Sequence, residues 1–487
     1  MKRNKATGAD DIAIEMVSAL EDLGLQKLTE LLNEIYDTGV IPEDMSKSVF
    51  ICLPKKPGAT TCELHRTISL MSHITKVLMR ILMNRARGKW LPEIAPVQFG
   101  FTKDSGTRNA IFTLRAITER AIEKQIDLYL CFIDYSRAFD KVKHGDLMKI
   151  LQRLHLDGKD IRILSNLYWD QTACVRLEHM FSEYKPIKRG VRQGCVMSPD
   201  LFNLYSETIL RNLDEAGGIA VGGVIINNIR YADDTALIAT SEEGIQSLLN
   251  TVVEASESMG LHLNVEKTVC MTISKKEVPP ACTIQASGKI IKQVEQFNYL
   301  GSYITSNGKC DKEISRRIGM AKSAFQRMKT VLLNPKLHMD TKQRVLRTYI
   351  MPILTYGSDT WTISQTMQAR LEAVEMWFLR RILKISYTEH VTNKEVLERA
   401  ATERSLIKYI RKSQMQFLGH IVRKGGIENL ALTGTINGRR DRGRQRLTYL
   451  NSVSEWTNTS TMELLRCTRN RKLWQNLTAD VCLRHGT

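Results

Sequence analysis

The sequence predicts an α/β chain: a mixed α+β core followed by a helical, strongly basic C-terminal part. Three observations carry this. Short apolar runs of strand length, such as residues 49–53 and 128–133, alternate with segments whose apolar residues recur every three or four positions. From Glu313 onward helical spacing dominates. Between residues 401 and 450, 11 Lys and Arg stand against 3 acidic residues, which predicts a separate, flexible or extended module.

Taken in order, Ile12, Met16, Leu20 and Leu23 keep helical spacing, and Leu28, Leu31, Leu32 and Ile35 resume it, so two amphipathic helices joined at Gly24 are expected. The run VFICLPKKPG is strand-like until Pro54 and Pro57 break it, and it carries Lys55 and Lys56 to a loop. Residues 107–123 place Ala110, Ile111, Leu114, Ile117, Ala121 and Ile122 on one helix face and lead into LYLCFID, a buried strand. In IRYADDTALIA, Asp233 and Asp234 interrupt two short β-like runs, 229–231 and 235–239, which predicts a hairpin with carboxylates at its tip. Ile314, Ile318, Ala321, Phe325, Met328 and Leu332 line one helix face, and Arg316, Arg317, Lys322, Arg327 and Lys329 give the other a basic character. The sharpest basic cluster is GRRDRGRQR, residues 438–446, with Arg439, Arg440, Arg442, Arg444 and Arg446; it suits nucleic-acid contact, a nuclear localisation signal or a solvated loop.

Composition sets limits. With 487 residues, 43% of them hydrophobic, the chain can bury a sizeable core. A formal charge of +18 favours a polyanion, nucleic acid first, although charge alone does not separate RNA, DNA and anionic lipid. The ten cysteines follow no disulfide or zinc spacing and read as reduced core residues; Cys467, Cys482 and His485 lack a CxxC partner, so no zinc site is predicted. There is neither an apolar signal region nor a run of about 18 apolar residues, so the expectation is an intracellular protein of nucleus or cytoplasm, neither secreted nor membrane-spanning.

The chemistry is carried by acids. The run 128–133 ends in Asp134, so a buried strand delivers one carboxylate at its C-terminal end, followed by Phe139 and by Asp140, which could simply cap the next helix. Adjacent acids such as Asp233 and Asp234 are usually a solvated turn. Here both flanks are apolar, and like charges in a partly dry place are costly unless a cation compensates. Mg²⁺ is held by one or two carboxylates plus phosphate oxygens, and paired ions about 4 Å apart serve phosphoryl transfer.

At this point the sequence resembles the reverse transcriptases of non-LTR retrotransposons. FIDYSRAFDKV is similar to their motif A, GVRQGCVMSPDLFNLY to motif B and RYADDTALIA to motif C. KATGADDI, LPKKPG, HRTISLMSHITKVL, QFGFTKDSGT, GLHLNVEKT as motif D and FNYLGSYIT as motif E follow the same order, covering about residues 5–390. HRTISL departs from the commoner YRPISL, and KATGADDI carries Ala9 and Asp11 where the family often has proline and glycine.

The resemblance implies a right-hand polymerase fold, with fingers and palm over 1–305, a helical thumb over 311–400 and a basic C-terminal region over 401–487, and without the endonuclease that relatives carry upstream. It implies an RNA-directed DNA polymerase, a nucleotidyltransferase acting on an RNA template, a DNA primer and dNTPs through two Mg²⁺ ions, with Mn²⁺ as a substitute. Asp134, Asp233 and Asp234 would hold the metals. Lys55 and Arg66 would meet the triphosphate, and Phe139 would lie under the sugar and exclude a 2′-hydroxyl. Gln193 and Gly194, in a turn opened by Gly190, would approach template and nucleotide, and Lys267 the departing pyrophosphate. Phe297, Tyr299, Leu300 and Gly301 would form the primer grip, while the face 316–329 would follow the duplex. Two alternatives stand beside this: a catalytically inactive or domesticated nucleic-acid-binding relic, and a group II intron-type maturase, which shares the polymerase motifs.

Overall fold

The computed structural model describes residues 3–211, 213, 217–440 and 446–484. Two five-stranded sheets organise it. In the first, Lys47–Pro54 pairs antiparallel with His65–Met71 on one side and parallel with Thr172–Leu177 on the other, and Met180–Phe181 and Lys185–Pro186 add to the latter strand. In the second, the order is Lys292–Gln293, Val269–Ile273, Leu128–Ile133, Asp234–Ala239 and Asn228–Tyr231.

The strand Leu128–Ile133 sits at the centre of this second sheet and explains the unbroken apolar run. Leu130 and Phe132 face a core shared with the helix Thr107–Glu123, whereas Cys131 and Ile133 face another shared with the helices Ser198–Leu210 and Glu242–Ser258. A strand covered on both faces has no polar side, so its sequence reads as continuous apolar residues. Each large side chain buried this way contributes about 1.5–3 kcal/mol.

A third core belongs to the helices after residue 310. Ile314, Ile318, Ala321 and Phe325 of the helix Asp311–Arg327 pack with Trp361, Leu371 and Phe378. This is the apolar face that the spacing predicts.

Two expectations are corrected. The N-terminal helices are Ile14–Ser18 and Asp22–Thr38, and Gly24 lies inside the second, not at the joint. Glycine in a first helical turn is tolerated, so its presence does not mark a break.

Nor do the described residues between 401 and 450 form a separate, flexible or extended module. The helix Leu406–Lys424 begins in the third core with Leu406 and Ile410 and continues into the central core with Phe417, Leu418 and Ile421. Phe112 of the helix Thr107–Glu123 meets Phe417 and Tyr449 edge-on, at ring separations of 5.2 and 5.0 Å. The buried carboxylate of Glu119 accepts from the Thr362 hydroxyl and, at 3.0 Å, from the Tyr449 N–H. The surplus of basic residues hid an apolar face that packs.

Among the described residues, nine cysteines are free and six of them are buried. No helix there is long and apolar enough to cross a membrane.

Candidate active site

The register of the central sheet brings the acids together. Thr235 pairs with Ile133, so one step further toward the strand ends Asp234 stands opposite Asp134, with Asp233 in the adjoining turn. The segment 262–268 brackets Asp134 from the far side. The Asn264 N–H donates to the Asp134 carbonyl at 2.8 Å, and the Thr268 hydroxyl accepts from the Asp134 N–H at 3.3 Å. The same segment brings the Lys267 ammonium to 3.6 Å from an Asp134 carboxylate oxygen.

A cavity of about 260 Å³ opens here, lined by Phe132, Ile133, Asp134, Asp234, Thr235, Lys267, Phe297 and Tyr299. Burial pushes the Asp233 carboxyl up; its own N–H opposes this, Asp134 adds to it and Arg66 opposes it. Asp234 is pushed up to about 6, first by burial and then by the charges of Asp233 and Asp134, although one side of the residue stays exposed toward the cavity.

As placed, no three His, Cys, Asp or Glu side chains among the described residues stand close enough to hold an ion by themselves. The donor chemistry nonetheless suits a hard cation that takes one or two carboxylates and completes its shell with phosphate oxygens and water. Asp134 and Asp234 are cross-strand neighbours, Asp233 adjoins them, and their mutual repulsion is the kind that such a cation relieves.

The other candidate residues fall into two groups. Of the first, Phe297 and Tyr299 line the cavity, and the others are held in place by identifiable contacts. Phe139 stacks on Phe202 at 4.2 Å between ring centres and meets Phe101 edge-on at 6.3 Å. Gly190 donates its N–H to Val142 and Val191 donates to Phe139, tying the turn at 190–194 to the segment after Asp134. The Gln193 carbonyl accepts from the Ser69 N–H at 2.7 Å. Gly194 has φ +116°, and a Cβ there would stand 2.8 Å from the Ser69 carbonyl oxygen, so the turn presses on the first sheet in a way only glycine allows.

Arg66, on the strand His65–Met71, is exposed and acts on Asp233 through its charge. Lys55 is turned back, donating to the Glu63 carbonyl at 2.9 Å. Phe297 stacks on Phe132 at 4.4 Å, and Tyr299 is buried beside it. Leu300 and Gly301, with φ of +48° and +83°, make the two-residue turn between the paired Tyr299 and Ser302.

In the second group, Arg316 and Arg317 are corrected. Arg317 is buried, its Nε 2.7 Å from a Glu313 oxygen, and it donates to the Gly301 carbonyl. Arg316 donates to the same carbonyl and to Glu313, both at 3.1 Å, and its guanidinium lies over the Tyr303 ring. These two arginines hold the aromatic hairpin to the helix Asp311–Arg327 and do not face outward to follow a duplex. Glu313, wholly buried, demands cations, and that pull outweighs solvation of the arginines. Lys322 lies over the Trp377 ring, while Arg327 and Lys329 are exposed.

Of the C-terminal cluster, Arg440, itself exposed, pairs with Glu123 at 2.6 Å, and Arg446 donates to the Asn307 and Gly308 carbonyls. Arg439 is exposed, and Arg442 and Arg444 lie outside the described residues.

Sequence reasoning missed the supports. Thr268 and Asn264 belong to the motif read for Lys267 alone. Arg230, just ahead of the acids, makes a buried ion pair with Glu207 at 3.0 Å. Arg192, also buried, donates to Gln171 and to the Ser46 and Leu167 carbonyls. None of these partners is near in sequence, so spacing offered no signal.

Residues 53–304 match the family model described as reverse transcriptase (RNA-dependent DNA polymerase). The chain is 27% identical over 403 residues to the RNA-directed DNA polymerase from mobile element jockey of Drosophila melanogaster, covering 78% of this chain and 42% of that protein. It is 25% identical to the Pol polyprotein from type-2 retrotransposable element R2DM of the same organism, covering 74% of this chain and 34% of that one. The chain thus spans well under half the length of these two relatives. Apo telomerase from Candida tropicalis superposes with a TM-score of 0.40 at 14% identity, covering 86% of this chain and 74% of that one, a likeness too loose to decide anything. With the family model spanning just over half its residues, the chain belongs to the reverse transcriptase family, and it is similar to polymerases of non-LTR retrotransposons.

Proposed function

We propose that this chain is an RNA-directed DNA polymerase that extends a DNA primer on an RNA template. The observation that carries the proposal is the facing of Asp134 and Asp234 across paired strands, with Asp233 beside them, in a cavity walled by Lys267 and the aromatic hairpin. The primer 3′-hydroxyl attacks the α-phosphorus of a dNTP, a phosphodiester forms and pyrophosphate leaves. Asp134, Asp233 and Asp234 would hold two Mg²⁺ ions, which supply charge neutralisation at the attacking and leaving oxygens.

The chain's own residues account for the rest. Arg66 offers a cation to the triphosphate, and Lys55 would offer a second on releasing the Glu63 carbonyl. Phe139, held upright by Phe202, presents a bulky ring to the sugar. Lys267, now beside Asp134, can swing its proton toward the departing pyrophosphate. The turn 299–302 and Phe297 hold the primer end against the acids, which is positioning catalysis. The net charge of +18 suits a nucleic-acid partner, with binding that weakens steeply as salt rises.

The test is primer extension on an RNA template with Mg²⁺. Wild type should incorporate dNTPs, whereas Asp233→Ala should bind primer–template normally and incorporate nothing measurable. Equal extension by both would remove the metal assignment and the proposed function with it.

A further inference from the structure

The segment 97–101, Val-Gln-Phe-Gly-Phe, lies along the edge of the central sheet beside the strand Asn228–Tyr231. The Phe99 N–H donates to the Arg230 carbonyl at 2.8 Å and the Arg230 N–H to the Val97 carbonyl at 2.9 Å, a short parallel bridge centred on Gln98. The Gln98 side chain is buried, and its Oε1 accepts two bonds, from the Gly100 N–H at 2.8 Å and from the Ala232 N–H at 2.9 Å. Two N–H donors converge on one atom, so that atom must be the amide oxygen and not the nitrogen.

Ala232 immediately precedes Asp233 and has φ +57°, a left-handed conformation that a residue with a Cβ keeps only when its surroundings fix it. Gly100 makes the approach possible, since a Cβ there would stand 2.3 Å from the Ala232 nitrogen. From the helix Ser198–Leu210, the Asn203 amide donates to the Gly100 carbonyl at 2.8 Å and fixes the segment from behind.

We propose that Gln98 is a positioning residue for the acidic turn. By accepting the Ala232 N–H it fixes the left-handed step from which Asp233 and Asp234 leave the strand, and so sets where their carboxylates stand relative to Asp134. This rests on the proposed function, because it assigns Gln98 a task only if those acids hold metal.

The variant is Gln98→Met, which keeps the length and removes the acceptor. A misplacement of about 1 Å costs on the order of a hundredfold in rate, so kcat for primer extension should fall by about that factor. The Mg²⁺ concentration for half-maximal rate should rise about tenfold, as for lost outer supports of metal ligands. The KM for dNTP and the Kd for primer–template should stay within about threefold, because the phosphate and primer contacts are untouched. Partial misfolding would instead lower the active fraction and leave the Mg²⁺ dependence where it was.

Hydrogen exchange in the metal-free wild type provides a readout that needs no activity and no variant: the Ala232 N–H should be protected. Unchanged kcat and Mg²⁺ dependence in Gln98→Met overturns the proposal. So does rapid exchange at Ala232, which decides the matter should the variant fail to fold. If Asp233→Ala extends primers like wild type, the proposed function falls first; if that variant is dead and Gln98→Met is normal, only the role of Gln98 falls.

Discussion

Single residues make separable predictions. Phe139 is a flat ring clamped on Phe202, so Phe139→Ala removes both bulk and stacking. Incorporation of rNTPs relative to dNTPs should rise by about tenfold or more, while Phe139→Tyr should discriminate nearly as wild type does. Competition assays with mixed nucleotides would show it, and unchanged discrimination in the alanine variant would remove Phe139 from the sugar contact. His144 makes a prediction about pH. Its ring donates to the Gly190 carbonyl at 2.9 Å, and burial, more than any other cause, pushes its pKa below the ordinary 6.5. Since the folded state binds fewer protons than the unfolded one, stability is full above about pH 6.5 and is lost as pH falls through that value toward the lower folded pKa. Burial lowers His73 in the same sense. Thermal melts of the metal-free protein should shift down between pH 7.5 and 5.5, and His144→Gln should flatten part of that slope. An identical slope in the variant would sever the link.

At the level of elements, the runs 49–53, 128–133, 229–231 and 235–239 and the helix Thr107–Glu123 were legible because burial leaves a trace, continuous for the two-sided strand Leu128–Ile133 and three-four for the helix, whereas strands such as Thr172–Leu177 and Val269–Ile273 were not read. The acids were legible because carboxylates amid apolar runs contradict their neighbours. Arg316 and Arg317 were misread because an outward and an inward arginine look alike until Glu313 is seen to be buried between them. Glu313 is only three and four residues away, a spacing that ordinarily means a weak surface pair. Burial changes the magnitude: breaking a buried pair costs about 3–5 kcal/mol, because the other charge is left stranded. Arg317→Met should therefore destabilise the protein by about that much. It should also weaken primer use, since the Gly301 carbonyl of the hairpin turn loses a donor. Adding Glu313→Leu should restore much of the stability without restoring primer use, and chemical denaturation beside single-turnover extension would separate the two effects. A double variant no more stable than the single would refute the stranded-charge account.

For the whole molecule, the decisive question is whether residues beyond 400 are an appendage or part of the core. Charge counting makes them an appendage, and packing makes them core. Phe417, Leu418, Ile421, Tyr449 and Trp474 are buried in one cluster with Phe112, Leu130 and Phe132, and at about 1.5–3 kcal/mol each their burial is comparable with the entire stability of a typical domain, about 5–15 kcal/mol. Glu119 would suffer as well: its Tyr449 donor would go, leaving a carboxylate whose pKa burial already raises with one hydrogen-bond partner fewer. The apolar face of the helix Thr107–Glu123 would open to water, and that helix covers one side of the strand that ends in Asp134. A chain ending at residue 400 should therefore be insoluble or should melt far below wild type, and extension activity should vanish even though every residue proposed to touch nucleotide remains. The full chain should lose its central sheet and its C-terminal helices in one cooperative transition, followed by hydrogen exchange on peptides from 128–133 and 449–457. A truncated chain that stays soluble, melts like wild type and extends primers would show that the C-terminal helices lean on the central core without completing it.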